Sequence, residues 1–160
     1  MRHLLISSVL IFCAACDGGK VYEGELRIES ASDRAVLDGV TVVSGDLQIT
    51  ADDITELTLN SLESVEGDLW IRYNTRLTSL TMNSLASVSG GLSIAQNERL
   101  ASLNLNALRS VGGSFAISYN CKLPSFRADA IENQVSISCN GVDSAGTCVN
   151  TGPNFGDEGC

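Results

Sequence analysis

The densest grouping of interaction-prone side chains is the run Trp70-Ile71-Arg72-Tyr73-Asn74-Thr75-Arg76. Large flat rings interleaved with guanidinium groups make a binding hot spot or a platform for sugar rings. Asp46 and Asp68 stand at equivalent places in neighbouring repeats, near Glu66. Paired carboxylates in a groove with a Lys or Arg would do general acid–base chemistry on a polysaccharide. Their column continues as Gly91 and Ser114, with no lysine close by and no long insertion to wall a groove, so no catalytic residue is assigned. The single histidine is His3; a chain shorn of its N-terminus holds no imidazole for a Ser/His/Asp or Cys/His triad or for a metal. Asp143, Asp157 and Glu158 lack the D-x-D-x-D spacing of a calcium loop, and no phosphate loop or zinc spacing is present, so neither metal nor cofactor is expected. Nineteen acidic residues oppose ten basic ones, for a net charge of −9. That field repels nucleic acid, which is not expected as a partner.

These side chains are set out by an internal repeat. Val65-Glu-Gly67-Asp-Leu69-Trp-Ile71 returns as Val88-Ser-Gly90-Gly-Leu92-Ser-Ile94 and as Val111-Gly-Gly113-Ser-Phe115-Ala-Ile117, a step of 23 residues each time. Val43-Ser-Gly45-Asp-Leu47-Gln-Ile49 precedes them, Glu23 to Ile28 opens the array, and Val135-Ser-Ile137 closes it. A second block recurs in phase: Leu57-Thr-Leu59-Asn60, Leu80-Thr-Met82-Asn83 and Leu103-Asn-Leu105-Asn106. Both blocks alternate apolar and polar residues, which predicts two short strands per unit, each with one apolar face. No unit buries that face alone; coils stacked about 4.8 Å apart bury it against their neighbours. The expected fold is therefore all-β, a solenoid of about five to six coils of 20–23 residues. Gly45, Gly67, Gly90 and Gly113 suit a tight corner with positive φ, and Asn74, Asn97, Asn120 and Asn140 suit an amide ladder at the next bend. Gln48, Trp70, Ser93 and Ala116 then form one outward column, with Thr50, Arg72, Ala95 and Ser118 beside it, and Tyr119 two coils beyond Tyr73. The ligand-contacting set is expected to be Trp70, Arg72, Tyr73, Arg76 and Tyr119. Thr58, Asn60, Thr81, Asn83, Asn104 and Asn106 form a polar array on the second strand that needs no function, because polar residues stack well between coils.

The N-terminus reads as an export signal. Met1-Arg2-His3 is basic, Leu4 to Phe12 is apolar apart from Ser7 and Ser8, and Cys13-Ala14-Ala15-Cys16 precedes polar Asp17-Gly18. The apolar run is too short to span about 30 Å of hydrocarbon. The small pair before Cys16 resembles a bacterial lipoprotein signal, with Cys13 where such signals usually carry Leu. The resemblance implies a signal peptide over 1–15, a lipidated Cys16, an anchor linker over 16–20 and a place in the cell envelope. Cleavage there leaves Cys121, Cys139, Cys148 and Cys160, which can pair completely in an oxidising compartment. Stacking Asn120 on Asn140 would bring Cys121 beside Cys139, and Cys148–Cys160 would then clasp a tail over 141–160.

The order strand, Asn bend, Leu-x-x-Leu, strand, Gly corner resembles the receptor L domain over 21–140, and Asn120-Cys-Lys122-Leu123 is similar to that family's Asn-Pro-Lys-Leu turn. The resemblance implies a right-handed solenoid and a non-catalytic recognition module for a protein or glycan, held to the membrane through its N-terminal lipid. A purely structural envelope spacer and a β-helix carbohydrate-active enzyme are the other two readings.

Overall fold

A computed structural model describes residues 19–124 of the 160, together with the backbone of strands Leu10–Ile11 and Ser136–Ile137. The alternating blocks fold as anticipated. Leu26–Ile28, Leu47–Ile49, Leu69–Arg72, Leu92–Ala95 and Phe115–Ser118 line up as one five-stranded parallel sheet. The second block gives a three-stranded parallel sheet of Glu56–Thr58, Ser79–Thr81 and Ser102–Asn104.

A third sheet was not foreseen. The pairs Ser64–Val65, Ser87–Val88 and Ser110–Val111 each form a two-residue strand ahead of the glycine corner. With Leu10–Ile11, Lys20–Tyr22, Val40–Val43 and Ser136–Ile137 they make a seven-stranded sheet. Each turn thus has three sides, where alternation predicted two. Two residues are too short to display a period, which is why this side is silent in the sequence. Leu10–Ile11, inside the expected leader, pairs antiparallel with Lys20–Tyr22; every other pairing is parallel.

The described residues make about four turns of about 23 residues; the five to six expected extend to residue 140, and part of that stretch lies outside them. The opening segment does not complete a regular turn. In place of a strand on the three-stranded side, a 3-10 helix spans Asp33–Leu37 and buries Leu37. Asp33 Oδ2 stabilises the chain's entry to it, accepting from Glu29 N at 3.0 Å and Ser30 Oγ at 2.9 Å.

The core is a set of vertical columns. Leu47, Leu69, Leu92 and Phe115 stack in register, as do Ile49, Ile71, Ile94 and Ile117. Leu57, Leu80 and Leu103 stack on the three-stranded side, and Val43, Val65, Val88 and Val111 on the third. All are buried. Each such side chain stabilises the fold by about 1.5–3 kcal/mol, which has to exceed the ordering entropy of its turn.

The glycine corner corrects a second expectation. Positive φ occurs at Gly24 and Gly39, not at Gly45, Gly67, Gly90 or Gly113. Those four are required by contact between turns. A Cβ on Gly45 would stand 2.5 Å from the carbonyl of Gly24, and one on Gly67 would stand 2.6 Å from the Gly45 carbonyl carbon. The obstacle is the backbone of the preceding turn, which cannot swing aside, joined at Gly67 by the Asp46 carboxylate. Gly67→Ala is therefore expected to destabilise the protein by about 1–3 kcal/mol, as overpacking does. Urea unfolding measures it; a midpoint equal to the parent's would show that the turns do not approach this closely.

Candidate functional site

The bend that follows the five-stranded sheet organises the surface around it. Tyr73, Gln96 and Tyr119 occupy the same place in successive turns, and all three adopt the left-handed region, with φ of 60°, 57° and 54°. Alternation along Leu69–Arg72 would send the next side chain inward. The left-handed residue breaks that alternation, so Tyr73 points to solvent and Asn74 points to the core. Tyr73 is 53% exposed and Tyr119 45%, whereas Asn74, Asn97 and Asn120 are buried.

The buried asparagines form the expected ladder. Asn74 Oδ1 accepts from the backbone N of Ala51 at 2.7 Å. Asn97 Oδ1 accepts from Asn74 N at 3.1 Å and Asn74 Nδ2 at 2.9 Å. Asn120 Oδ1 repeats this for Asn97 N and Nδ2, at 3.1 and 3.2 Å. On the donor side, Nδ2 of Asn74, Asn97 and Asn120 reaches the carbonyls of Ile49, Ile71 and Ile94. Each amide oxygen thereby accepts a backbone N–H that the bend withdraws from the sheet, and each Nδ2 ties the bend to a strand carbonyl of the preceding turn.

The same turn closes after each asparagine. Leu77 N donates to Asn74 O at 3.1 Å, Leu100 N to Asn97 O at 2.9 Å and Leu123 N to Asn120 O at 2.8 Å. Arg76, Arg99 and Lys122 therefore hold one equivalent, exposed turn position on three successive turns. Arg76 belongs to the predicted contact set; Arg99, Lys122 and Gln96 do not. Their signal is in the sequence, since 76, 99 and 122 are 23 apart, but the expected set extends the period only from Tyr73 to Tyr119 and not from Arg76 to Arg99 and Lys122.

Trp70 and Arg72 lie on the outer face of the five-stranded sheet, both half-buried. The Arg72 guanidinium carbon is 5.6 Å from the Trp70 ring centroid, within cation–π range. Arg72 Nε also donates to Ser93 Oγ at 2.9 Å. Ser93 and Ala95, which alternation would expose, are buried on this outer face. Trp70 thus rests on its own protein's surface, while the freely presented rings are Tyr73 and Tyr119. Nearer the N-terminus, Arg27, Ile28, Glu29, Gln48 and Thr50 line an open groove of about 250 Å³.

The stacked carboxylates have a structural task. Asp46 Oδ1 accepts from Asp68 N at 2.8 Å and Asp68 Oδ1 from Gly91 N at 2.6 Å, so each joins its corner to the next turn. Cys121 is disulfide-bonded. Cys16, Cys139, Cys148, Cys160 and Asn140 lie outside the described residues, and so do the expected pairing, leader cleavage site and tail. Among the described residues no group of His, Cys, Asp and Glu is placed to hold a metal ion, and no helix is long and apolar enough to cross a membrane. On the polar array of the three-stranded side, Thr58, Asn60, Asn83 and Asn106 are exposed, while Thr81 and Asn104 are half-buried.

Scanned against protein-family models, curated proteins and solved structures, the chain matches none.

Removing one rung tests the ladder. Asn97→Ala would leave Asn74 N buried without its acceptor, at about 1–3 kcal/mol, and would take a second hydrogen bond from the Ile71 carbonyl, at about 0.5–1.5 kcal/mol. A drop in unfolding free energy of about 2 kcal/mol or more is expected in a urea titration. A loss within about 0.5 kcal/mol, the size of an ordinary surface change, would contradict the role given to the amides.

Proposed function

We propose that this solenoid is a non-catalytic recognition module for a protein or glycan, right-handed and resembling a receptor L domain, displayed on the cell envelope by lipid on Cys16. The observation that carries the recognition reading is the pair Tyr73 and Tyr119. Both are large aromatic residues in a left-handed backbone conformation, which costs about 1–3 kcal/mol at a residue other than glycine. Both are also substantially exposed, so their rings do not repay that strain by filling the core. The bend imposes the same conformation on Gln96, so it is the choice of a large exposed ring at two of these three positions, on a rigid scaffold, that fits a surface kept for contact with another molecule. Trp70, Arg72 and Arg76 flank it.

The engagement of Asp46 and Asp68 by backbone N–H groups favours a non-enzymatic reading, because these carboxylates already hold the corners. A structural spacer is the second reading. It is favoured by the Trp70–Arg72–Ser93 contacts, which satisfy those side chains within the protein. Two acyl chains on Cys16 would suffice for stable anchoring, where one is marginal. A Cys121–Cys139 bridge and a Cys148–Cys160 clasp complete the proposal.

Function and stability separate in one variant. Tyr73→Gly with Tyr119→Gly relieves the backbone strain while deleting both rings. Immobilised full-length parent is expected to retain a component of envelope protein or polysaccharide fractions at least tenfold better than the double variant, a difference of about 1.4 kcal/mol or more. The variant's thermal midpoint should be unchanged or higher. Equal retention by the two proteins, or none by either, would favour the spacer.

A further inference from the structure

Charge is distributed along the solenoid axis in a way that the net value conceals. Thirteen of the nineteen acidic residues lie at or before Asp68, yet Glu98 is the single acidic residue between Leu69 and Pro124. Five basic residues share that segment: Arg72, Arg76, Arg99, Arg109 and Lys122. The first turns are strongly acidic and the later ones basic. The repulsion expected from the net charge therefore does not apply to the later turns.

Arg76, Arg99 and Lys122 concentrate this basic charge. The repeated turn hydrogen bonds keep them in register, so their backbones stand about 4.8 Å apart. Like charges on adjacent strands destabilise a sheet, and none of the three has a hydrogen-bond or ion-pair partner among the described residues. Glu98 is the one carboxylate in the stripe. In the turn before Arg76 the position equivalent to Arg76 is Asp53, whose carboxylate accepts from Ala31 N at 2.9 Å and marks the stripe's end. Alongside, across the buried asparagines, runs the column Tyr73, Gln96 and Tyr119.

We infer that this bend binds an acidic glycan, with carboxylated sugars on about three consecutive residues lying along the solenoid axis. The inference rests on the recognition reading and specifies its ligand. The exposed rings beside the cations select the polymer: pyranose faces stack on tyrosine, whereas acidic peptide side chains offer the stripe charge alone. The tyrosines supply exposed ring faces for sugar stacking, and the arginines pair with carboxylates through two parallel hydrogen bonds.

Calorimetric titration of the full chain with trigalacturonate tests this, beside a neutral trisaccharide, triglutamate and a trinucleotide. Trigalacturonate is expected to bind at least tenfold more tightly than each of the others. Arg76→Gln, Arg99→Gln and Lys122→Gln combined should weaken it at least tenfold with the thermal midpoint unchanged or raised, since repulsion is relieved. Arg99→Gln alone should weaken it several-fold, and Arg99→Lys should restore only part of that, since it returns the charge without the paired hydrogen bonds. Comparable binding of triglutamate or the trinucleotide would overturn the glycan assignment. Unaltered affinity in the triple variant would overturn the stripe. No binding of trigalacturonate by the parent would overturn the inference, yet the recognition reading would stand if the Tyr73/Tyr119 pair still governed capture from envelope fractions.

Discussion

Every turn has to leave one sheet and enter the next, and at that bend the backbone loses its ladder partners. Water cannot reach the groups on the inner side, so the fold depends on something else bonding them. The buried asparagine amide does this, because it offers an acceptor and two donors from one short side chain. Its acceptor takes the backbone N of the preceding turn, and its donors reach that turn's carbonyl and the next amide. A rung therefore works only with a turn on each side at the same register. That requirement accounts for the constant step of 23 residues better than the core does, since aliphatic columns tolerate small shifts and a chain of hydrogen bonds does not.

The surface follows from that fixed register. Once Asn74, Asn97 and Asn120 are locked inward, the residue before each is forced outward in a left-handed conformation, and the residue two after each is presented on the turn. Two columns of side chains then stand on either side of the ladder at one-turn spacing. Other parts of the outer surface are less available: Arg72 is committed to Trp70 and Ser93, and Asp46 and Asp68 to neighbouring backbone. The basic later turns and acidic early turns give the scaffold a direction along its axis.

Much of the architecture was legible because a solenoid writes its period into the chain. The aliphatic columns, the two longer parallel sheets and the asparagine ladder all follow from phase and alternation. Three features did not. The Ser-Val strands are too short to show a period. The glycine column looked like a conformational requirement, whereas the constraint is an approach between turns that lie 22 or 23 residues apart in sequence. The exposed rings are the third: Trp70 is the one tryptophan, but its neighbour Arg72 partly covers it, and the left-handed backbone gives Tyr73 and Tyr119 the greater exposure. Backbone sign at a single residue leaves no periodic trace.

The central claim is that amide rungs between turns hold the bend rigid. Native-state hydrogen exchange at the backbone N–H groups of Ala51, Asn74 and Asn97 addresses it most directly, because each donates to a side chain of the following turn. If the ladder is the connection on which the turns depend, these bend amides exchange only through global unfolding, with protection equal to that of Ile71 and Ile94 in the sheet core. Exchange as fast as in an exposed loop, while the sheet core stays protected, would show that the stacked aliphatics carry the fold and that the ladder merely decorates the bend.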